Sequence, residues 1–68
     1  MPELTNRLRD AREARGWTQA ELAAAIGVSR KTINTVENGV FIPSTVVALK
    51  LAAALNTTVE KLFVLVKP

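Results

Sequence analysis

Cysteine and histidine are both absent from the 68 residues. Without cysteine there is no disulfide to staple a small fold and no thiol nucleophile. Without histidine the commonest general base and a usual zinc ligand are missing too. An enzyme is therefore not expected, and neither is a metal or any other cofactor. Aromatic residues are scarce: Trp17, Phe41 and Phe63 lie far apart in the chain, so no platform for stacking bases exists. Long apolar runs are lacking as well. The longest uncharged stretch, Asn38–Leu49, contains Gly39 and Pro43 and falls short of the roughly 18 apolar residues of a membrane span. The Met1-Pro2-Glu3 start has no basic stretch followed by an apolar one, so no signal peptide is visible and a cytoplasmic location is expected.

What is present fits one small domain. Leu, Ile, Val and Phe make up about a third of the chain, too much for intrinsic disorder. A chain this short is only marginally stable alone. With no disulfide or metal, a homo-oligomer interface is the first place to look for added stability. The net charge of +3 leans weakly toward an anionic partner.

Helical signals follow one another along the chain. Leu4, Leu8 and Ala11, with Ala14 or Arg15, recur at helical spacing and predict a first helix over about 3–15, stopped by Gly16. Thr18 and Glu21 form a Thr-x-x-Glu capping box ahead of a second helix over 19–26, whose stripe is Leu22, Ala23 and Ile26. Gly27 ends it, and Ser29 caps a third helix over 30–37 carrying Ile33 and Val36. Asn38-Gly39 closes that one. Pro43-Ser44 begins a fourth helix over 44–55, with Ala48, Leu49, Ala52 and Leu55 on one face, and Asn56 ends it. Thr58 caps a fifth over 59–63 with Val59, Leu62 and Phe63.

Two short amphipathic helices joined by a tight glycine turn make a helix-turn-helix pattern. In such units the second helix enters the major groove of DNA. Its outward positions here are Arg30, Lys31, Thr32, Asn34 and Thr35. Arg and Lys donate to guanine, Asn pairs with adenine, and a Thr methyl meets a thymine methyl. The Ser29 hydroxyl and the amides at the helix start suit a phosphate, and Gln19 stands where it can touch a second one. Taken alone, Arg30 and Lys31 read as a solvated helix face. Inside a cap-turn-cap unit they read as a DNA contact. Trp17 is expected to pack beside the first helix.

The run Trp17-Thr18-Gln19-Ala20-Glu21-Leu22-Ala23, then Ile26-Gly27-Val28-Ser29, Ile33-Asn34 and Glu37-Asn38-Gly39, resembles the XRE family of phage repressor and Cro-type DNA-binding domains. The likeness continues through Pro43-Ser44, Ala48-Leu49, Ala52 and Ala54-Leu55-Asn56 to Leu62-Phe63. It implies five α-helices with the second and third as the DNA-reading unit. It also implies backbone contacts from Gln19 and Asn38, and contacts to bases or nearby phosphates from Ser29, Arg30, Lys31 and Thr35. Arg12 and Glu37 match a family ion pair linking the first helix to the third. Two departures stand out. Lys61 occupies the acidic position of the fifth helix's capping box, and Val40-Phe41-Ile42 lacks the Lys or Arg that some relatives set against phosphate. An apolar loop there covers the core or contacts a partner.

The chain end breaks the helical pattern. Phe63, Val64, Leu65 and Val66 are β-branched, aromatic or aliphatic where a frayed polar end is usual. They either cover the core or form a strand pairing antiparallel with its copy across a twofold axis. The expected architecture is thus an all-α, five-helix domain over 1–63 with a dimerisation tail over 64–68. The expected function is a DNA-binding transcriptional repressor acting as a homodimer on palindromic double-stranded DNA. A different class remains beside it: a protein-interaction module, such as an antitoxin gripping a toxin.

Overall fold

Four of the five helices start on a hydroxyl residue, because the first amides of a helix have no partner of their own. The Thr18, Ser29, Ser44 and Thr58 side chains each accept from the amide three residues on. These caps sit within the computed structural model of the protein, which describes residues 3–66. The order is β1 (Leu4–Asn6), α1 (Leu8–Ala14), α2 (Gln19–Ile26), α3 (Arg30–Glu37), α4 (Thr45–Ala54), α5 (Val59–Leu62) and β2 (Phe63–Leu65). The α2 and α3 bounds match those expected from the pattern. Gly27 ends α2 with φ +75°, and Asn56, after α4, has φ +54°. Both residues tolerate the left-handed region better than most others.

The start of the chain departs from expectation. The first helix begins at Leu8 rather than near residue 3, because Leu4–Asn6 is a strand. Asn6 sets the switch: its Oδ1 accepts from the Leu8 amide at 3.1 Å, while its Nδ2 donates to the Val36 carbonyl at 2.9 Å. Such Asx bonding competes with helix and favours a turn. The tail does form a strand, but its ladder partner is β1 of the same chain. Leu4 faces Leu65, Thr5 faces Val64, and Asn6 faces Phe63 in an antiparallel pair. The Arg7 amide to the Leu62 carbonyl (2.8 Å) and the Val66 amide to the Glu3 carbonyl (2.7 Å) extend the ladder. One edge of the expected strand is thus paired within the chain. Lys67 and Pro68, the end of the expected tail, lie outside the described residues.

Every helix contributes to the core: Leu8, Leu22, Ile33, Val36, Leu51 and Leu62 are fully buried, each such burial contributing about 1.5–3 kcal/mol. The α4 stripe keeps Ala48, Ala52 and Leu55 of the expected set but takes Leu51 in place of Leu49. Leu51 is buried beside Ala48 and Ala52, whereas Leu49 is exposed. Val46, Val47, Leu49 and Leu51 make α4 apolar around its circumference, so spacing alone does not choose the face. Packing against α2 does. Trp17 packs against the core, with the Arg15 guanidinium 4.4 Å from its ring centroid. No helix among the described residues is long and apolar enough to cross a membrane.

Candidate nucleic-acid interface

The α2–α3 unit is held at both starts. Thr18 and Glu21 complete their reciprocal box, with the Glu21 amide on Thr18 Oγ1 at 3.1 Å and the Thr18 amide on Glu21 Oε1 at 2.8 Å. Ser29 Oγ accepts from the Thr32 amide at 3.1 Å and lies 2.9 Å from the Thr32 hydroxyl. The Ser29 hydroxyl thus serves first as the cap of α3. Ile33 and Val36 anchor the inner side of that helix, which turns Arg30, Lys31 and Asn34 toward solvent. Thr32 and Thr35 are half-buried, and the Thr35 hydroxyl donates to the Thr32 carbonyl at 3.0 Å.

At the far end of α3 stands an ionic latch. The Glu37 side chain is fully buried and receives Arg12 Nε on Oε2 at 2.6 Å. Arg12 Nη2 reaches Glu37 Oε1 at 3.3 Å, and Arg12 Nη1 donates to the Trp17 carbonyl at 2.7 Å. One guanidinium therefore ties α1, the turn before α2, and α3 together. Burial pushes the Glu37 carboxyl upward, but bonds from Arg12, Gln19 and Arg9, together with the Arg12 charge, outweigh it and leave the carboxyl below its ordinary value. The Glu37 bond holds Arg12 above its own ordinary value against the opposing effect of burial. Both groups stay charged at neutral pH. The resemblance anticipated this pair; residue periodicity did not.

Gln19 connects the latch to the reading face. Its Nε2 donates to Glu37 Oε1 (3.1 Å) and Asn34 Oδ1 (3.2 Å), while its Oε1 accepts from Arg30 Nη1 at 3.2 Å. A carboxylate only accepts and a guanidinium only donates, so these neighbours determine which way the amide faces. Asn38 Nδ2 donates to Asn34 Oδ1 at 3.2 Å. A bidentate contact from Asn34 to adenine would have to displace one of the two donors on that oxygen. Gln19, Arg30, Asn34 and Asn38 are thus brought into one network, with Lys31 exposed beside it and Thr32 and Thr35 on its margin.

Two members escaped the reading of the sequence. Arg9 donates from Nη2 to Asn38 Oδ1 at 2.9 Å and from Nε to Glu37 Oε1 at 3.4 Å. Its spacing of three from Arg12, on one side of a helix, was the available signal. Asn6 reaches α3 through the Val36 carbonyl, a tertiary contact that nothing local foretells.

Comparison with known proteins supplies a context for this geometry. The family model described as helix-turn-helix matches residues 8–62. A helix-turn-helix-type transcriptional regulator of Archaeoglobus fulgidus is 41% identical over 61 residues, covering 90% of this chain and 87% of its own. Among solved structures, the restriction-modification controller protein C.AhdI from Aeromonas hydrophila superposes with a TM-score of 0.77 at 40% identity, covering 81% of this chain and 83% of its own. The biofilm master regulator SinR, solved in complex with DNA, superposes with a TM-score of 0.74 at 27% identity, covering 79% of this chain and 87% of its own.

Proposed function

The chain belongs to the XRE-type helix-turn-helix family of DNA-binding transcriptional regulators, and from that premise we propose that it represses transcription as a homodimer on a palindromic operator. The observation carrying this reading is a capped, latched α3 that turns Arg30, Lys31 and Asn34 outward as one polar face. In this reading α3 lies in the major groove, with Arg30 and Lys31 at base edges and Asn34 and Thr35 against neighbouring bases. Gln19, Ser29 and Asn38 meet phosphates around it, and Thr32 supports Ser29 at the helix start.

Arginine 12 and Glu37 orient this face without touching DNA. A charged pair between α1 and α3 discriminates among helix orientations because each charge, if parted from the other, is left poorly solvated. Repression then follows from occupying promoter DNA, and twofold symmetry places two copies of α3 about 34 Å apart, one turn of the duplex.

Selection of bound duplexes from a random pool tests the reading. The expected winner is a pair of inverted half-sites separated by one helical turn. Enrichment of a single unrepeated site would remove the homodimer, and enrichment of nothing would remove sequence-specific recognition.

A further inference from the structure

Among the described residues, most large apolar side chains left bare by the fold lie in one part of the molecule. Val40, Ile42, Val46, Leu49 and Leu65 are 78, 71, 60, 57 and 72% exposed, and Phe41 is 48% exposed. They belong to the loop after α3, the outer side of α4, and β2; neither α2 nor α3 exposes a large apolar side chain. Between them runs a groove of about 720 Å³ whose lining includes Ala48, Ala52 and Ala53, with Ile42, Leu49 and Phe63 alongside. A second hollow of about 460 Å³ shares Ile42 and Phe63 with the first and continues it past Val40 and Phe41. Leu65 is the cross-strand neighbour of Leu4, which lines both hollows, so its side chain projects on that same side of the ladder.

We propose that this surface seats a second copy of the chain across a twofold axis, through side-chain packing rather than strand exchange. The proposal rests on the homodimer reading and gives that dimer its interface. Area supports it: the six named side chains, 48 to 78% exposed, together present about 700 Å², near the roughly 800 Å² that each partner of a stable interface buries.

Shape supports it as well. A twofold contact needs a knob and a hole on the same patch. Here Ile42 and Leu49 stand beside a groove lined with alanines. Charge is sparse: among the described residues Glu60 is the only ionisable one lining the main groove and Glu3 the only one lining its continuation. Position adds a fourth argument. The Val40 and Phe41 amides both bond the Thr35 carbonyl, at 2.9 and 3.2 Å. The patch is thereby fastened to the last turn of α3, and a partner docked on it sets how the two α3 helices stand relative to each other.

Sedimentation equilibrium of the full chain, over a wide range of concentration, tests the proposal. Wild type is expected at twice its 7.4 kDa mass. Leu49→Glu and Ile42→Glu are each expected to weaken self-association by about a hundredfold or more, an effect of hot-spot size. Ile42→Ser, gentler on the fold, should shift it in the same direction by less. Ala24→Glu, on the exposed side of α2, should leave the dimer intact, and circular dichroism should show unchanged helix content in all four. A wild-type dimer that survives every groove substitution overturns this interface and leaves the homodimer standing. A wild type that is monomeric throughout yet still binds its operator overturns both. A monomeric chain that purifies with a different protein seated on the groove assigns the surface to that partner and also overturns the proposal.

Discussion

The α2–α3 face and the α4 face differ in how their exposed side chains are employed. On the first, Gln19, Arg30, Asn34 and Asn38 hold one another and lean on the buried Glu37 carboxylate. Their geometry is therefore set before any ligand arrives, which lowers the ordering cost of binding. On the second, Ile42, Val46 and Leu49 are exposed to water although they are apolar. Polar groups that satisfy one another keep a surface stable while it waits; bare apolar groups gain free energy only when something covers them. One face is thus polar and internally bonded, the other apolar and bare.

The sharpest way to separate the two faces of α4 is to cut equal side chains from each. Leu51→Ala is expected to destabilise the fold by about 2–5 kcal/mol, leaving a cavity in the core. Leu49→Ala is expected to stay within about 0.5 kcal/mol when unfolding is followed at dilutions that favour the monomer. Denaturant titration decides this, and equal losses at the two positions would mean the faces are misassigned.

The latch comes next. Arg12→Ala should cost about 3 kcal/mol in the same assay, because it strips the buried Glu37 carboxylate of its principal partner. It should also lower operator affinity although the residue touches no DNA in this reading. Unchanged affinity in a folded variant would show that the latch does not orient α3.

Smaller effects test the network on the reading face. Arg30→Ala should lose about 1–3 kcal/mol of discrimination at one base pair, while Gln19→Ala should weaken binding to all sequences. Because the two side chains are bonded, their effects should not add, and a double-mutant cycle measured by binding titration should return a coupling of at least about 0.5 kcal/mol. Strict additivity would mean that the contact is idle when DNA is bound.

The smallest effect is one of pH. With its pKa depressed in the fold, Glu37 contributes stability that is fully present above its ordinary value of 4.5 and is lost as pH falls through the lower folded value. The stability gap between wild type and Glu37→Gln should therefore shrink on acidification below about pH 4.5 and remain level above it. Thermal unfolding at a series of pH values measures that gap. A constant gap across the acid range would contradict the depressed carboxyl.

Much of the recognition unit was legible because its signals are local. Thr18, Ser29 and Gly27 act within one turn of themselves, through hydroxyl caps and a left-handed φ. Ile33 and Val36 left only one possible inner side for α3. The latch was legible by resemblance alone, since Arg12 and Glu37 are 25 positions apart and look like ordinary surface charges. Arg9 was missed for the same reason. On α4, Leu49 is expected inside where Leu51 is found, because a helix apolar nearly all round gives little periodic contrast to read. Leu4 was placed in a helix because Leu4 and Leu8 do stand four apart, and no local rule reveals that Phe63–Leu65 will return to pair with it.

What the sequence by itself determined was the set of elements and stops that rest on neighbours: the capped helices, the glycine turn, and the outward row on α3. Tertiary structure alone decided that Leu51 rather than Leu49 turns inward on α4, that the first residues extend along the last, and that Glu37 is sealed beneath Arg12 and Gln19. The physical reason is range. Caps and turns are settled by hydrogen bonds within a few residues, whereas burial and strand pairing depend on distant segments competing for the same core and the same unpaired backbone groups.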